Sequence, residues 1–164
     1  MATWKVFAAA DPGMAEAGRR LIYQFGPGLA FLATVRADGA PRLHPLCPVV
    51  TEEGLFAFVV PSPKRGDLRR DGRYAMHSYP PDALEDEFTV SGRAVEVADA
   101  GRRAEIEGRY RAEVGDDPNL VTFALFELGI ERAMLATYTE RGAWPPTYTV
   151  WRAPTATTTF DAPL

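Results

Sequence analysis

The alternation of apolar and polar positions along the chain predicts a domain built mainly of β-strands. Asp38-Gly39 separates the first two apolar segments, and this dipeptide is a strong short-range signal for a hairpin. The acidic turn 52–54 separates the second segment from the third, so the first three strands should form an antiparallel meander. Short strands at this regular spacing are typical of a small antiparallel barrel. The predicted strands are residues 29–35, 41–50, 55–60, 74–79, 87–97, 133–139 and 147–151.

The second predicted strand carries two prolines, Pro45 and Pro48. Proline has no backbone N–H and cannot donate to a strand ladder. We therefore expect strand 41–50 to lie at a sheet edge, to be bulged, or to face a ligand along part of its length.

Four other segments predict helices. Asp11 followed by Pro12 is a typical helix start. The aspartate can accept a hydrogen bond from a backbone N–H of the first turn, and proline lacks a backbone N–H, which would have no partner at that position. This helix is predicted over residues 11–25. A basic turn and short helix is predicted over 61–73, and a charged surface helix over 100–114. Residues 118–128 are predicted to be helical, although the apolar run 120–128 is also compatible with a strand.

The composition is that of an ordinary globular domain, with 46% of the 164 residues apolar and 24% charged. The net charge of −4 argues against a nucleic-acid or anionic membrane surface. No apolar stretch reaches the length of a membrane span or resembles a signal core, so we expect a cytoplasmic protein. The length predicts a single domain over residues 1–152, followed by a loose tail over 153–164.

Cysteine and histidine, which often carry chemistry, are scarce. Cys47 is the single cysteine, which excludes an intramolecular disulfide and a cysteine cluster for a metal. His44 and His77 are the two histidines, too few for a closed metal site without carboxylates. We expect no metal site, and the sequence identifies no catalytic side chain.

A basic run follows the third predicted strand directly. A phosphate needs donors from several directions, and the start of a helix adds oriented N–H groups to side-chain cations. Arg42 begins the neighbouring strand, and a hairpin meander brings the start of the second strand and the end of the third to the same end of the sheet. An anion site is therefore one interpretation, and a solvated basic surface is the other. The run is Ser62-Pro63-Lys64-Arg65-Gly66-Asp67-Leu68-Arg69-Arg70.

In their order and spacing these elements resemble the pyridoxamine 5'-phosphate oxidase-like split-barrel flavoproteins. The shared pattern is a strand, an Asp-Gly turn, a strand with Arg42, a further strand, and a Ser-x-Lys element before a short helix. The run 64–73 is similar to a branch that uses FMN or the deazaflavin coenzyme F-420. The resemblance implies a mainly β fold, namely a six- to seven-stranded antiparallel split β-barrel of Greek-key type with an N-terminal helix and one or two peripheral helices.

The resemblance also implies a flavin site shared by two subunits. Arg42, Ser62 and Lys64 match the positions that hold the cofactor phosphate, and Arg69 is a candidate for binding a polyanionic tail. Candidates from the second subunit are Trp144, Trp151 and Arg152. The strand segment that lines the ring is Leu43, His44, Pro45 and Leu46, and the strand beneath it is Ala57, Phe58, Val59 and Val60.

By this resemblance the chain is a homodimeric oxidoreductase that exchanges hydride or electrons with a small molecule, with FMN slightly favoured over the deazaflavin. Cys47 stands where vitamin-salvage members carry lysine, and the late strands lack their Arg-x-His element. Pyridoxamine-phosphate oxidase activity is therefore not expected. Two alternatives stay open: a non-enzymatic protein that binds or senses flavin or haem, and a barrel without cofactor that acts as an interaction module.

Overall fold

The computed structural model describes residues 1–82 and 84–154, and this part of the chain forms an antiparallel sheet with four α-helices. The loose tail expected from the sequence lies outside the described residues from 155 onward. The helices are α1 (Trp4–Ala10), α2 (Pro12–Ile22), α3 (Pro63–Arg70) and α4 (Ala100–Val114). The strands are β1 (Ala30–Val35), β2 (Pro41–Leu46), β3 (Pro48–Val50), β4 (Leu55–Val59), β5 (Arg73–Ser78), β6 (Glu87–Glu96), β7 (Ala124–Thr137) and β8 (Thr147–Arg152).

The sheet closes into a barrel through one bent strand. Along the sheet the order is β2-β1-β5-β6-β7-β4-β3, and β8 pairs with β7. β2 and β3 occupy the two ends of this order, yet only Cys47 separates them in the chain. The first and last strands of this order are therefore halves of the proline-bearing segment 41–50, which confirms its expected edge position. The break at Cys47 also explains why the sheet has one strand more than the seven expected.

β7 connects the two parts of the barrel. β6 pairs with β7 from Glu96 opposite Phe126 to Glu87 opposite Ala136. On its other side β7 pairs with β4 over residues 124–127 and with β8 over residues 132–137. The barrel is split where β7 changes partner, and the mainly β split barrel expected from the sequence is confirmed.

The segment 118–128 is not the helix that the sequence predicts. Leu120–Thr122 forms a single 3-10 turn, and β7 begins at Ala124. The first residues of β7 are buried on both faces: Phe126 lies in the barrel core, and Leu125 lies in a second core beneath α4. A strand buried on both faces lacks the polar alternation by which strands are usually recognised.

Two hydrophobic cores stabilise the fold by removing apolar surface from water. The inner core fills the barrel and includes Leu32, Met76 and Phe88. The outer core lies between α4 and the β3–β4 pair, where Ile106 and Tyr110 meet Val49, Phe56 and Phe58. β4 contributes to both cores, and all five of its residues are buried.

α2 begins as the sequence predicts. Asp11 Oδ1 accepts a hydrogen bond from the backbone N–H of Met14 at 3.0 Å, and Pro12 occupies the first helical position. α1 is not among the predicted helices, because its seven residues are too few to establish a helical periodicity. None of the described helices is both long enough and apolar enough to cross a membrane.

Candidate functional site

β2 divides the predicted cofactor residues between two faces of the sheet. Arg42, His44 and Leu46 alternate with the exposed residues Leu43 and Pro45. Within the described residues β2 pairs with β1 alone, so its other edge is free. A ligand along this free edge could contact residues of both faces, whereas a ligand on one face could reach only alternate side chains.

A buried carboxylate organises the inner face of β2. Asp67 of α3 is 4% exposed, and its Oδ2 accepts hydrogen bonds from Arg42 Nε at 2.8 Å and Thr34 Oγ1 at 3.0 Å. Its Oδ1 accepts from the terminal nitrogens of Arg70 at 3.3 Å. Burial raises the pKa of Asp67, but the hydrogen bonds from Arg42, Thr34 and Arg70 outweigh burial and hold it below its ordinary value. The carboxylate therefore ties β1, β2 and α3 together.

Arg42 has hydrogen-bond donors that its bond to Asp67 does not use. Its Nε is committed to the carboxylate, whereas neither terminal nitrogen has a hydrogen-bond partner among residues 1–82 and 84–154. The side chain is 28% exposed, so solvent or a ligand can reach it. A guanidinium in this state can still donate to an anion.

Lys64, the second residue of α3, is a half-buried cation that makes no ion pair with any described residue. Burial lowers its pKa. Ser62 is the N-cap residue of α3, but its hydroxyl donates to the carbonyl of Val60 at 2.9 Å and does not cap the helix. The positive end of α3 is therefore not compensated by a capping side chain.

His44 lies within electrostatic reach of both cations. Its Nε2 is buried and has no hydrogen-bond partner in the described part of the chain, although the residue as a whole is partly exposed. Burial lowers the pKa of His44, and the charges of Lys64 and Arg42 lower it further, while Asp67 acts in the opposite direction. The ring is therefore neutral at pH 7, with one nitrogen that donates and one that accepts.

Cys47 lies at the bend between β2 and β3, also within reach of the Lys64 charge. Burial raises the pKa of its thiol, and Lys64 offsets this only in part. A protonated thiol is a poor nucleophile, so Cys47 acts as a small packing residue at neutral pH.

The predicted residues of β4 fill the two cores. Ala57 and Val59 have 0% and 1% exposure in the barrel interior. Phe58 packs under α4, where its ring meets Tyr110 edge-on with the centroids 5.2 Å apart. Their side chains therefore pack within the subunit, and Val60, at 38% exposure, is the one accessible residue of this predicted set.

Arg69 is committed to a different partner. Its Nε and a terminal nitrogen each lie 2.7 Å from an oxygen of Glu96 at the end of β6. This bidentate ion pair raises the pKa of Arg69 and lowers that of Glu96. To bind a ligand, Arg69 would first have to give up this pair.

The late-strand candidates lie in or near β8. Trp151 packs against Phe7 of α1, with ring centroids 5.0 Å apart. Arg152 is exposed, and Trp144, in the segment before β8, is 78% exposed. No hydrogen bond or ion pair joins these three residues to Arg42 or Lys64 within the described subunit, so their predicted part in the site requires a second subunit.

A groove of about 620 Å³ lies between α4 and the turn 51–54, away from the predicted site. Glu52, Glu105 and Arg109 are among its lining residues, whereas Arg42 and Lys64 are not. A site that a second subunit completes does not need a deep pocket in one subunit alone.

Asp67 and Thr34 are residues of the site that the sequence analysis does not identify. Asp67 is the one acid within the run 62–70, and this interruption of a basic segment is the signal that could have indicated an ion-pairing role. Thr34 gives no such signal, because a threonine in a strand needs no special explanation.

No family model matches the sequence, and no curated protein matches it significantly. Solved structures do share its fold. HutZ, the haem storage protein from Vibrio cholerae, has a TM-score of 0.59 at 19% identity, with 71% of this chain and 89% of HutZ covered. A Clostridium acetobutylicum protein related to general stress protein 26, of the pyridoxinephosphate oxidase family, has a TM-score of 0.61 at 11% identity, with 85% and 93% covered. General stress protein 26 from Bacillus anthracis has a TM-score of 0.54 at 18% identity, with 73% and 91% covered.

These identities are too low to carry activity or ligand from one protein to another, but the TM-scores and coverage establish a common architecture. The neighbours include both oxidase-like and haem-binding proteins. The chain has the split-barrel fold of the pyridoxamine 5'-phosphate oxidase-like proteins, as its sequence motifs predict.

Proposed function

We propose that this protein is an FMN-binding oxidoreductase whose cofactor lies between the two subunits of a homodimer. The observation that carries the proposal is Lys64, a half-buried ammonium without a counter-ion among the described residues, near the partly uncommitted Arg42. A half-buried cation loses part of its hydration, and an anion bound beside it offsets that cost. A phosphate suits this combination of a strand arginine, a lysine and the start of a helix.

The residues present fit the phosphate end of FMN. Arg42 offers its terminal nitrogens and Lys64 offers its ammonium, and the hydroxyl of Ser62 at the N-terminus of α3 could join them only by giving up its bond to the carbonyl of Val60. The donors come from a strand and a helix, so they can approach one phosphate from more than one direction.

His44 fits the polar edge of a flavin ring. Leaving a buried nitrogen such as Nε2 without a partner costs about 1–3 kcal/mol. Because the ring is neutral, His44 can donate to or accept from a ligand without bringing a third positive charge. We assign His44 to hold the ring, with Leu43 and Val60 covering apolar parts of it.

The dimer uses the outer face of β2, β1 and β5. Leu43 is 65% exposed there, and Phe31 stacks on Tyr79 with the ring centroids 4.3 Å apart while remaining partly exposed. An exposed apolar strip of this kind is typical of an interaction surface. An isologous dimer would cover the strip in both subunits at once and bring in Trp151 and Arg152 from the partner.

FMN is favoured over the deazaflavin coenzyme F-420 because most cations of α3 are already bound to other residues. A polyanionic tail needs further cations beyond the phosphate anchor. Arg65 donates to the carbonyl of Thr122, Arg69 pairs with Glu96, and Arg70 binds Asp67. Three of the four cations in the basic run are therefore already engaged, and the remaining Lys64 suffices for one phosphate.

When bound, FMN supplies the hydride or electron transfer. The chain contributes binding and orientation: Arg42, Ser62 and Lys64 hold the phosphate, and His44 holds the ring. The hydrogen bond that Arg42 Nε donates to Asp67 keeps Arg42 in place before the ligand arrives. No side chain has to move a proton, so a small-molecule substrate in the cytoplasm needs only access to the ring.

Haem binding is a second candidate, favoured by the geometry of His77. Nδ1 of His77 lies 2.6 Å from the carbonyl of Ser78, which can only accept, so Nδ1 carries the proton. The lone pair is then on Nε2, the nitrogen that could ligate iron once it moves away from Glu87 Oε2, 3.8 Å distant. HutZ, which has this fold, stores haem.

The absorption spectrum of the purified protein, titrated in turn with FMN, F-420 and haem, separates these functions. We expect FMN to bind at a ratio of one per subunit and to be reduced by NAD(P)H. Tight haem binding that is lost in His77→Ala, with no FMN binding, would establish the second candidate instead.

A further inference from the structure

We propose that Asp67 is a positioning residue that aims Arg42 at the ligand, and that it thereby makes the site selective for a phosphate monoester. This inference rests on the proposed function, because it concerns the same site. It assigns a role to a side chain that need not touch the cofactor.

The geometry leaves Arg42 one useful orientation. Asp67 Oδ2 accepts a hydrogen bond from Arg42 Nε at 2.8 Å, so the terminal nitrogens are the ones left for a ligand. Thr34 donates to the same oxygen at 3.0 Å, which fixes how the carboxylate is turned. Arg70 holds the other oxygen. Because β1 and α3 both fix Asp67, the guanidinium of Arg42 is held before any ligand binds, and less conformational entropy is lost on binding.

The charges support a phosphate monoester as the ligand group. Arg42, Arg70 and Lys64 bring three positive charges and Asp67 brings one negative charge, so the cluster carries a net charge of two. A phosphate monoester carries about two negative charges at pH 7. Without Asp67 the cluster would carry more positive charge, but Arg42 would lose its fixed orientation.

These two effects of Asp67 oppose each other, and this makes the proposal testable. Asp67→Asn removes the negative charge at nearly constant shape. If Asp67 acted through its charge alone, the phosphate would bind more tightly in the variant. If Asp67 positions Arg42, the phosphate binds less tightly, because an amide cannot hold Arg42, Thr34 and Arg70 as a carboxylate does.

The experiment compares FMN with riboflavin, which has the same ring and no phosphate. We expect Asp67→Asn to reduce the preference for FMN over riboflavin by about tenfold, while riboflavin binding changes little. Asp71→Asn is the matched control, since it removes a carboxylate paired to Arg73 at the other end of α3 from Lys64 and should leave the preference unchanged. An unchanged or increased preference in Asp67→Asn would overturn the proposal.

Thr34→Val provides a second test should Asp67→Asn fail to fold. Thr34 touches Asp67, so an effect on the phosphate passes through the carboxylate. We expect the preference for FMN to fall by about threefold, less than in Asp67→Asn, because Thr34 acts on Arg42 only through the Asp67 carboxylate. Thr34→Ser, which keeps the hydroxyl, should restore it. A preference equal to wild type in Thr34→Val would overturn the positioning role.

If the proposed function is wrong, the titration with flavins gives a result that differs from failure of the positioning role. If the wild-type protein binds neither FMN nor riboflavin, the flavin assignment is wrong. Titration with inorganic phosphate, followed by backbone NMR shifts of residues 62–66, then tests the anchor by itself. Phosphate binding that weakens in Asp67→Asn supports the positioning role without a flavin, and binding that strengthens, is unchanged or is absent from the wild type refutes it.

Discussion

Gly18 of α2 lies so close to the ring of Phe88 in β6 that a β-carbon on Gly18 would come within 2.5 Å of the ring. Real β-carbons are not found at such distances from other atoms. This contact allows α2 to pack directly on the inner face of the sheet.

Gly18→Ala should therefore destabilise the protein although alanine favours helix formation. The clash with the fully buried Phe88 should cost about 1–3 kcal/mol, more than the gain in helix propensity. Gly108→Ala is the matched control, because Gly108 lies in the interior of α4 with open space around it. We expect the control to gain about 0.5–1 kcal/mol in the free energy of unfolding, measured with urea. A Gly18→Ala variant as stable as wild type would show that α2 is free to shift.

Lys64→Ala should weaken FMN binding by about 1.5–3 kcal/mol, the range for hydrogen bonds to charged groups. Stability should not fall, since no described residue pairs with Lys64 and burial already disfavours its charge. Flavin fluorescence titration measures the affinity, and urea unfolding measures the stability. Arg20→Ala, an exposed residue of α2, controls for the change in net charge. Equal FMN affinity in Lys64→Ala and wild type would remove Lys64 from the site.

Leu43→Glu should convert the dimer to monomers. A carboxylate on the outer face of β2 would be buried without a partner in the proposed interface. Val121→Glu is the control, because Val121 is 80% exposed and lies in the 3-10 turn before β7. Light scattering at tens of micromolar should report a dimer for the control and a monomer for Leu43→Glu. A monomeric wild-type protein at this concentration would contradict the shared site.

The fold of the first hundred residues could largely be predicted, and the reasons are local. Asp11 caps α2, and the Asp38-Gly39 turn joins β1 to β2 with Gly39 at a φ of 84°, a backbone conformation that favours glycine. α4 covers residues 100–114, as predicted. Such features depend on a few neighbouring residues, so the sequence displays them directly.

The remaining features depend on contacts between distant parts of the chain. The beginning of β7 has no polar alternation, because α4 covers its outer face. Asp67 meets Thr34 from 33 positions away, and Arg69 meets Glu96 from 27 positions away. The sequence shows that these residues are charged or polar, but only the fold determines which of them pair and which, like Lys64, have no ion-pair partner in the described part of the chain.

Protonation of Asp67 should contribute to the unfolding of the protein in acid. Its pKa is lowered in the folded state, so its ionised form adds stability above the ordinary carboxyl value of about 4, and this stability is lost as pH falls through the lower folded value. The free energy of unfolding of wild type should therefore decrease below about pH 4. The decrease should be smaller in Asp67→Asn.

Asp71→Asn is the comparison for this acid effect. Arg73 donates to Asp71 and lowers its pKa to about 2, but Arg73 is exposed and Asp71 is less buried than Asp67, so solvent screens the pair. We expect its removal to change the acid dependence less than Asp67→Asn does. Urea unfolding at pH 7, pH 4 and pH 3 measures both, and an identical pH dependence in wild type and Asp67→Asn would show that the Asp67 cluster does not stabilise the fold.

The late position of β7 in the chain has a consequence for synthesis on the ribosome. β4 and β6 are complete well before residue 124, but both pair with β7, so each presents an unpaired edge until that strand leaves the exit tunnel. Unpaired strand edges are sites at which nascent chains associate wrongly. A delay between the emergence of β6 and the emergence of β7 from the ribosome would prolong this exposure.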